Sequence, residues 1–346
     1  MLYSTLGDTG LIVSRLAFGA MTFGQGKGRM AAIFKLGQSE ADAIVSAAID
    51  AGVNFFNTAD VYAGGESEVI LGKALAARRR DMIIATKAGN RLDGGLNNWG
   101  LSRRHLIASC EASLKRLGTE YIDVYLAHRQ DRLTPLDEQL AAFEELVRSG
   151  KVRYVGFSNW PAWYAAKAIA QQQERGHSPF RAAEVYYSLV GREIEQDLIP
   201  MAADAGTGLI IWSPLASGYL TGKYPADGTP GGGRMDQLDV LPIDRAQGEA
   251  VLDVMRDVAA RHGSATLAQV ALAWLLAKPV TSVIIGATSL DQLRDNLCAA
   301  DLLLSPEDMA ELDAVSATKA IYPNWLYKGD ISDKIVETAL GRPPCS

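Results

Sequence analysis

The sequence predicts an α/β protein, a (β/α)8 TIM barrel in a single domain, with an N-terminal β-hairpin and long loops after barrel strands one and seven. Three observations predict it. Eight short apolar runs alternate with helix-like stretches along the 346 residues. The runs are nearly continuous rather than alternating, as strands covered on both faces are. Polar residues follow nearly every run, whereas an open doubly wound sheet gathers its polar groups at one switch point. A Gly-x-Gly-x-x-Gly turn after an early strand, the mark of the open-sheet alternative, is absent.

The elements follow in order. Residues 2–13 read as a hairpin, and Leu16-Ala17-Phe18-Gly19 as the first barrel strand. A long loop over 24–36 leads to a helix at 39–50, with Ser39 as N-cap and Gly52 past its end. Strand two is 53–58, followed by a helix at 66–77; strand three is 82–86, followed by a helix at 103–117 that Ser102 caps. Strand four is 122–127 with helix 136–149, strand five 152–157 with helix 161–174, and strand six 182–187 with helix 195–205. Strand seven is 208–212. The stretch 214–245, with Gly231-Gly232-Gly233, has little apolar periodicity and reads as a long loop. Strand eight is 282–285, with its helix at 290–299. The barrel thus runs from about 14 to 300, and a tail from 301 to 346 adds a helix at 306–315 and the aromatic segment Tyr322-Pro323-Asn324-Trp325-Leu326-Tyr327.

Composition narrows the function classes. An apolar content of 48% is ample for a large core, and a net charge of -6 gives no electrostatic footprint for nucleic acid or an anionic membrane. No apolar run approaches the ~18 residues of a membrane span. The N-terminus lacks a basic start and a signal-like apolar core. Cys110, Cys298 and Cys345 are widely spaced and fit no zinc or disulfide pattern, so a reducing, cytoplasmic setting is expected. Oligomeric state is not legible.

Three successive strands end near residues suited to proton chemistry: Tyr62, Lys87 and His128. A free tyrosine has a pKa near ~10, and a nearby ammonium such as Lys87 stabilises its phenolate. His128 suits orienting a substrate oxygen or relaying a proton. Taken singly, each residue type is more often a packing or solvated side chain. Three at successive strand ends form a converging set that suits protonating a carbonyl oxygen as hydride reaches its carbon.

In these residues the sequence resembles the aldo-keto reductases, over nearly the whole chain from Leu16 to about Ala300. Phe56-Asn57-Thr58-Ala59-Asp60-Val61-Tyr62 looks like the family's Phe-Asp-Thr-Ala-x-x-Tyr motif, with Gly65-Glu66-Ser67-Glu68 after it; Ile84-Ala85-Thr86-Lys87 and Tyr125-Leu126-Ala127-His128-Arg129 look like its lysine and histidine motifs. The resemblance implies reduction of an aldehyde or ketone, or the reverse, by hydride transfer from NADPH (NADH as alternative), without metal. It implies Tyr62 as general acid with Lys87, His128 and Asn57 around it. It further implies that Gly19, Met21 and Thr22 line the cofactor, and that Asn57, Ser158, Asn159 and Glu184 hold the nicotinamide end with Tyr187 stacked on the ring. Trp212, Ser213, Pro214, Leu215, Gly218, Leu220 and Lys223 would close over the pyrophosphate, and Gly286, Thr288, Gln292 and Asn296 would hold the adenosine end. The substrate rim would include Phe23, Trp99, Arg129, Trp160, Tyr219 and Trp325, with Met21 and Tyr327 beside them, favouring bulky apolar or aromatic carbonyls.

The sequence departs from that pattern in three places. Asn57 stands where the family has an aspartate that pairs with the lysine. Asparagine keeps the shape but not the charge, so the lysine should be less compensated and its pKa should fall. Glu184 stands where a glutamine is common, and the 286–292 segment offers Thr288, Ser289 and Gln292 but no cation for a 2′-phosphate, with Arg294 directed elsewhere. Two further readings follow from the same residues: a nucleotide-binding partner subunit with weak catalysis, and an aldolase-like enzyme using Lys87 as a Schiff-base nucleophile.

Overall fold

A computed structural model describes residues 1–26, 28–92, 94–224, 233–236, 241–263, 265–326 and 338–340. Tyr327, Cys345 and the Gly231-Gly232 pair lie outside the described residues. Two short antiparallel strands, β1 (Tyr3–Thr5) and β2 (Ile12–Ser14), form the expected hairpin. Eight parallel strands then close into a barrel: β3 (Leu16–Gly19), β4 (Phe55–Asn57), β5 (Ile83–Ala88), β6 (Ile122–Ala127), β7 (Val152–Ser158), β8 (Ala182–Tyr186), β9 (Gly208–Trp212) and β10 (Ser282–Ile285). Closure comes from β10 pairing with both β9 and β3, which leaves the ring without an open edge.

The outer layer consists of α1 (Gln38–Asp50), α2 (Glu66–Leu75), α3 (Arg103–Leu117), α4 (Leu136–Arg148), α5 (Ala162–Glu174), α6 (Leu198–Asp204), α7 (Arg245–Arg261), α8 (Leu267–Leu276), α9 (Leu290–Cys298) and α10 (Pro306–Val315). Ser102 caps α3 by accepting from the His105 N–H, as expected. α1 begins at Gln38, with Gly37 in the N-cap position, so Ser39 is not its cap. α7 and α8 fill a stretch to which the sequence pattern assigned no element. α8 (LAQVALAWLL) is apolar on every side and buries seven residues, so it has no polar stripe to betray its period. It sits behind α7 and starts on a capping box between Thr266 and Gln269. Strand two is also shorter than expected, Phe55–Asn57 rather than 53–58. The start of the 214–245 stretch is structured, as a tight turn at Ala216–Thr221.

The core has two parts. Inside the barrel, Ala17, Phe55, Ala85, Val124, Leu126, Ala182 and Ile210 fill the ring, and Leu6 and Val13 of the hairpin plug the end where the strands begin. Between sheet and helices a larger apolar layer includes Phe18, Phe56, Tyr125, Phe143, Phe157 and Trp274. With one end plugged, only the C-terminal ends of the strands can present a site, and those ends carry the polar side chains described below.

One position shows how tightly the ring is drawn. Gly156 of β7 pairs with Ala182 of β8, and a Cβ there would lie 2.2 Å from the Ala182 carbonyl oxygen. That neighbour is backbone and cannot swing away. Gly156→Ala should therefore force β7 and β8 apart and cost about 2–3 kcal/mol in denaturant-induced unfolding; a cost within ~0.5 kcal/mol of zero, as for an ordinary surface change, would contradict this packing.

Candidate active site

The strand ends meet around one buried cation. Lys87, near the end of β5, is fully buried. Its Nζ donates to Asn57 Oδ1 at 2.6 Å and to the Thr58 carbonyl at 2.9 Å, and lies 3.0 Å from Glu184 Oε1. It also hydrogen-bonds Tyr62, whose ring centroid is 5.2 Å away. The Asn57 amide donates to the other Glu184 oxygen at 2.7 Å. Asn57 and Glu184 come from β4 and β8, four strands apart in a ring of eight, so this contact crosses the barrel mouth. Strand alternation explains it: residues in layers from different strands point inward and interdigitate.

Burial alone would depress the lysine. The Glu184 carboxylate, and then Tyr62, outweigh it, and Lys87 titrates above its usual range. The expectation of an under-compensated lysine with a lowered pKa is therefore overturned: the carboxylate absent at Asn57 is supplied by Glu184.

His128 follows β6 and sets its ring edge-on to Tyr62, with centroids 5.9 Å apart. Its Nδ1 is buried without a hydrogen-bond partner. Burial, with the Lys87 and Arg129 charges adding to it, pushes the imidazole down to about 3. His128 is thus neutral at ordinary pH. Asp60 is buried with neither oxygen partnered, and burial and then Glu68 raise it to about 8. Glu68 accepts from Thr86 at 2.6 Å and from Arg116 at 2.6 Å, tying α2, β5 and α3 together on the helix-facing side of the sheet.

The rim is built from unusual backbone. Ala63, Asn159, Ser213, Ala216 and Ser217 all have positive φ, and all lie in loops leaving the C-terminal ends of β4, β7 and β9. Left-handed backbone at non-glycine residues costs energy and concentrates at functional sites. Asn159 fixes the rim: its amide donates to the His128 carbonyl at 3.2 Å and to Ser158 at 2.8 Å, and its oxygen accepts from Trp212 Nε1 at 3.0 Å. Ser213 accepts from the Ser217 N–H, folding the Trp212-Ser213-Pro214-Leu215 turn back toward Gly218 and Leu220. Lys223 is exposed, with its ammonium 5.3 Å from the Tyr224 ring centroid. At the β10 end, Gln292 accepts from the Thr288 N–H at 2.8 Å, Asn296 donates to the Gly286 carbonyl at 3.1 Å, and Thr22 donates to the Ala287 carbonyl at 3.3 Å. The exposed Arg294 is turned toward Asp291 at 3.4 Å. Gly19 is packed so that a Cβ would meet Ile284 at 2.7 Å, while Met21 sits half-buried beside it.

Several expected site residues lie elsewhere. Tyr187 is not available to stack on a ligand ring. It follows Tyr186 on the opposite face of the strand, is 1% exposed against Trp274, and bonds Glu195. The accessible aromatics are Tyr186 and Trp212, half-buried with centroids 5.2 Å apart. Phe23, Trp160 and Tyr219 are also core rather than rim. Phe23 packs on Phe18, Trp160 stacks on Phe157, and Tyr219 hydrogen-bonds Glu249. Trp99 is half-buried beside Arg91, and Arg129 is exposed next to His128. Trp325 is half-exposed in a tail segment that Asn324 fastens to Gln196. Among the described residues no group of three His, Cys, Asp or Glu is placed to hold a metal ion, and no helix is long and apolar enough to cross a membrane.

A closed parallel barrel brings a tyrosine, a buried lysine and a neutral histidine together at its mouth, an arrangement suited to moving a proton. The aldo/keto reductase family model matches residues 15–317. An uncharacterized oxidoreductase of Bacillus subtilis, YrpG, is 38% identical over 331 residues, covering 91% of this chain and 96% of that protein. A probable voltage-gated potassium channel subunit beta of Oryza sativa subsp. japonica is 37% identical, covering 92% and 98%. Versiconal hemiacetal acetate reductase of Aspergillus parasiticus is 33% identical, covering 93% and 99%. The chain belongs to the aldo/keto reductase family.

The histidine gives a direct check. An unfolded histidine titrates near ~6.5, so the neutral His128 contributes stability that is fully present above that pH and lost as pH falls toward about 3. NMR of the His128 imidazole should show no protonation step between about pH 5 and 8; a midpoint in that window would contradict a ring with a buried Nδ1 flanked by two cations.

Proposed function

We propose that the protein reduces an aldehyde or ketone to an alcohol, or runs the reverse, using NADPH, with Tyr62 as the proton donor. The observation that carries this reading is the hydrogen bond between Tyr62 and a fully buried, charged Lys87. The ammonium supports the phenolate that forms as Tyr62 gives up its proton. His128, held neutral, donates a hydrogen bond to the carbonyl oxygen, or accepts one from the alcohol hydroxyl in the reverse direction, without carrying charge into the site. Asn159, locked by three hydrogen bonds, fixes the wall beside it.

The residues present fit a nicotinamide dinucleotide. The half-buried Trp212 and Tyr186 offer an aromatic face beside Asn159. The left-handed turn at Ser213, Ala216 and Ser217 is followed by the exposed Lys223, a cation of the kind that meets a phosphate. Gly286, with open space around its Cα, and the Ser289-capped start of α9 suit an adenosine end. When bound, the cofactor would supply or accept the hydride. Thr288, Ser289 and Gln292 would meet a 2′-phosphate by hydrogen bonds, and NADH is the alternative that side-by-side kinetics decides.

The aldolase-like reading loses support, because a Schiff-base lysine needs access and a depressed pKa, and Lys87 has neither. The rice relative is named as a channel subunit, which is compatible with the partner-subunit reading. The remaining rim, with Trp99, Trp212, Tyr186 and Arg129, favours aromatic or other bulky carbonyls.

A panel of carbonyls and alcohols with both cofactors should give turnover, and Tyr62→Phe should lower kcat by roughly 100-fold or more with cofactor affinity little changed. Tight NADPH binding with no turnover on any substrate would favour the partner-subunit reading instead.

A further inference from the structure

We propose that Glu184 is the positioning residue that keeps Lys87 charged, and that Asn57 is matched to it as a neutral amide, so that the two positions work as one unit. The proposal builds on the proton-donor reading of Tyr62, and its first test does not depend on it.

The geometry carries it. Four oxygens surround the Lys87 Nζ: Asn57 Oδ1, the Thr58 carbonyl, Glu184 Oε1 and Tyr62. An ammonium offers three donors and no acceptor, so this shell fits the charged form. Glu184 supplies the only carboxylate in that shell, and its side chain is 4% exposed against 1% for Lys87. Glu184 Oε2 accepts from Asn57 Nδ2, and Asn57 Oδ1 accepts from Lys87. The three side chains therefore close a ring of hydrogen bonds containing one cation, one anion and one amide. Asn57 has to be an amide in that ring, because it accepts from the cation with one atom and donates to the anion with the other. An aspartate at position 57 would put two carboxylates face to face at 2.7 Å. A glutamine at 184 would leave the buried ammonium without an anion. Exchanging acid and amide together restores one of each, with the charge on β4 instead of β8.

The placement matters for the reaction. Glu184 reaches the lysine from across the barrel mouth, from the strand whose end also carries Tyr186 beside Trp212. The anion that holds Lys87 thus belongs to the wall proposed to meet the cofactor ring, and a shift of β8 is transmitted to the ammonium and from it to Tyr62.

The test is a four-protein set: wild type, Glu184→Gln, Asn57→Asp and the Asn57→Asp/Glu184→Gln pair. Thermal unfolding without ligand comes first. Glu184→Gln should lower Tm at neutral pH by about 5 °C or more. That deficit should shrink as pH rises toward ~10.4, because an unpaired buried lysine loses its proton on folding whereas the paired one keeps it. Asn57→Asp should lose stability as pH rises, since two facing carboxylates share a proton at low pH. The double variant should lie closer to wild type than either single. Additive losses, or a Glu184→Gln deficit that does not change with pH, would overturn the proposal. In kinetics, Glu184→Gln should lower kcat by about tenfold or more and move the pH profile, with recovery in the double variant. If the stability coupling appears but no variant turns over any carbonyl, the counter-ion assignment stands and the reductase reading fails. If turnover is present without coupling, the reverse holds.

Discussion

The site depends on one constraint: a lysine with no exposure to water has to remain charged. An isolated ammonium in such a place gives up its proton, because desolvation in a medium of low polarisability outweighs any gain from remaining there. Lys87 is held at the end of β5 by backbone pairing to β4 and β6, so it has no freedom to reach solvent. Everything around it answers that requirement. Asn57, the Thr58 carbonyl, Glu184 and Tyr62 share its donors, and the Glu68–Arg116–Thr86 set ties β5 to α2 and α3 on the other side of the sheet. Burial, with the same cation and Arg129 adding to it, keeps His128 neutral. The one charge therefore acts on both candidate proton-handling partners.

A barrel suits this arrangement because it brings side chains from opposite strands together while keeping their backbones apart. Asn57 and Glu184 are separated by 127 residues and by half the ring, yet their side chains are in contact. The hairpin plug at the other end, through Leu6 and Val13, closes the apolar interior below the charged layer. The strained loops at Asn159 and Ser213 to Ser217 place polar groups over the mouth at a cost that the closed ring beneath them can sustain.

Much of the fold was legible in the sequence, for identifiable reasons. Buried parallel strands show as continuous apolar runs, and all eight barrel strands coincide with such runs. α8 escaped because a helix apolar on all sides has no period to read, and α7 was lost beside a loop of weak pattern. In the site, Tyr62, Lys87 and His128 were visible as strand-end residues and do converge. Tyr187 was misread because a pair of adjacent tyrosines at a strand end points to opposite faces, and register alone decides which face is core. Phe23, Trp160 and Tyr219 were misplaced because aromatic residues next to strand ends serve core and rim alike. The pairing of Asn57 with Glu184 left a trace that was read as two separate anomalies: one position lost a negative charge and the other gained one. Only the cross-barrel contact shows that they cancel.

The central claim is that Lys87 is an ammonium at working pH because Glu184 is its anion. The most direct measurement is NMR of the lysine side-chain nitrogens in uniformly 15N-lysine-labelled protein, with Lys87→Met used to assign the signal. The account predicts an ammonium signal for Lys87, slow to exchange its protons, that persists past about pH 9. A neutral-amine signal for Lys87 at pH ~8 would contradict it.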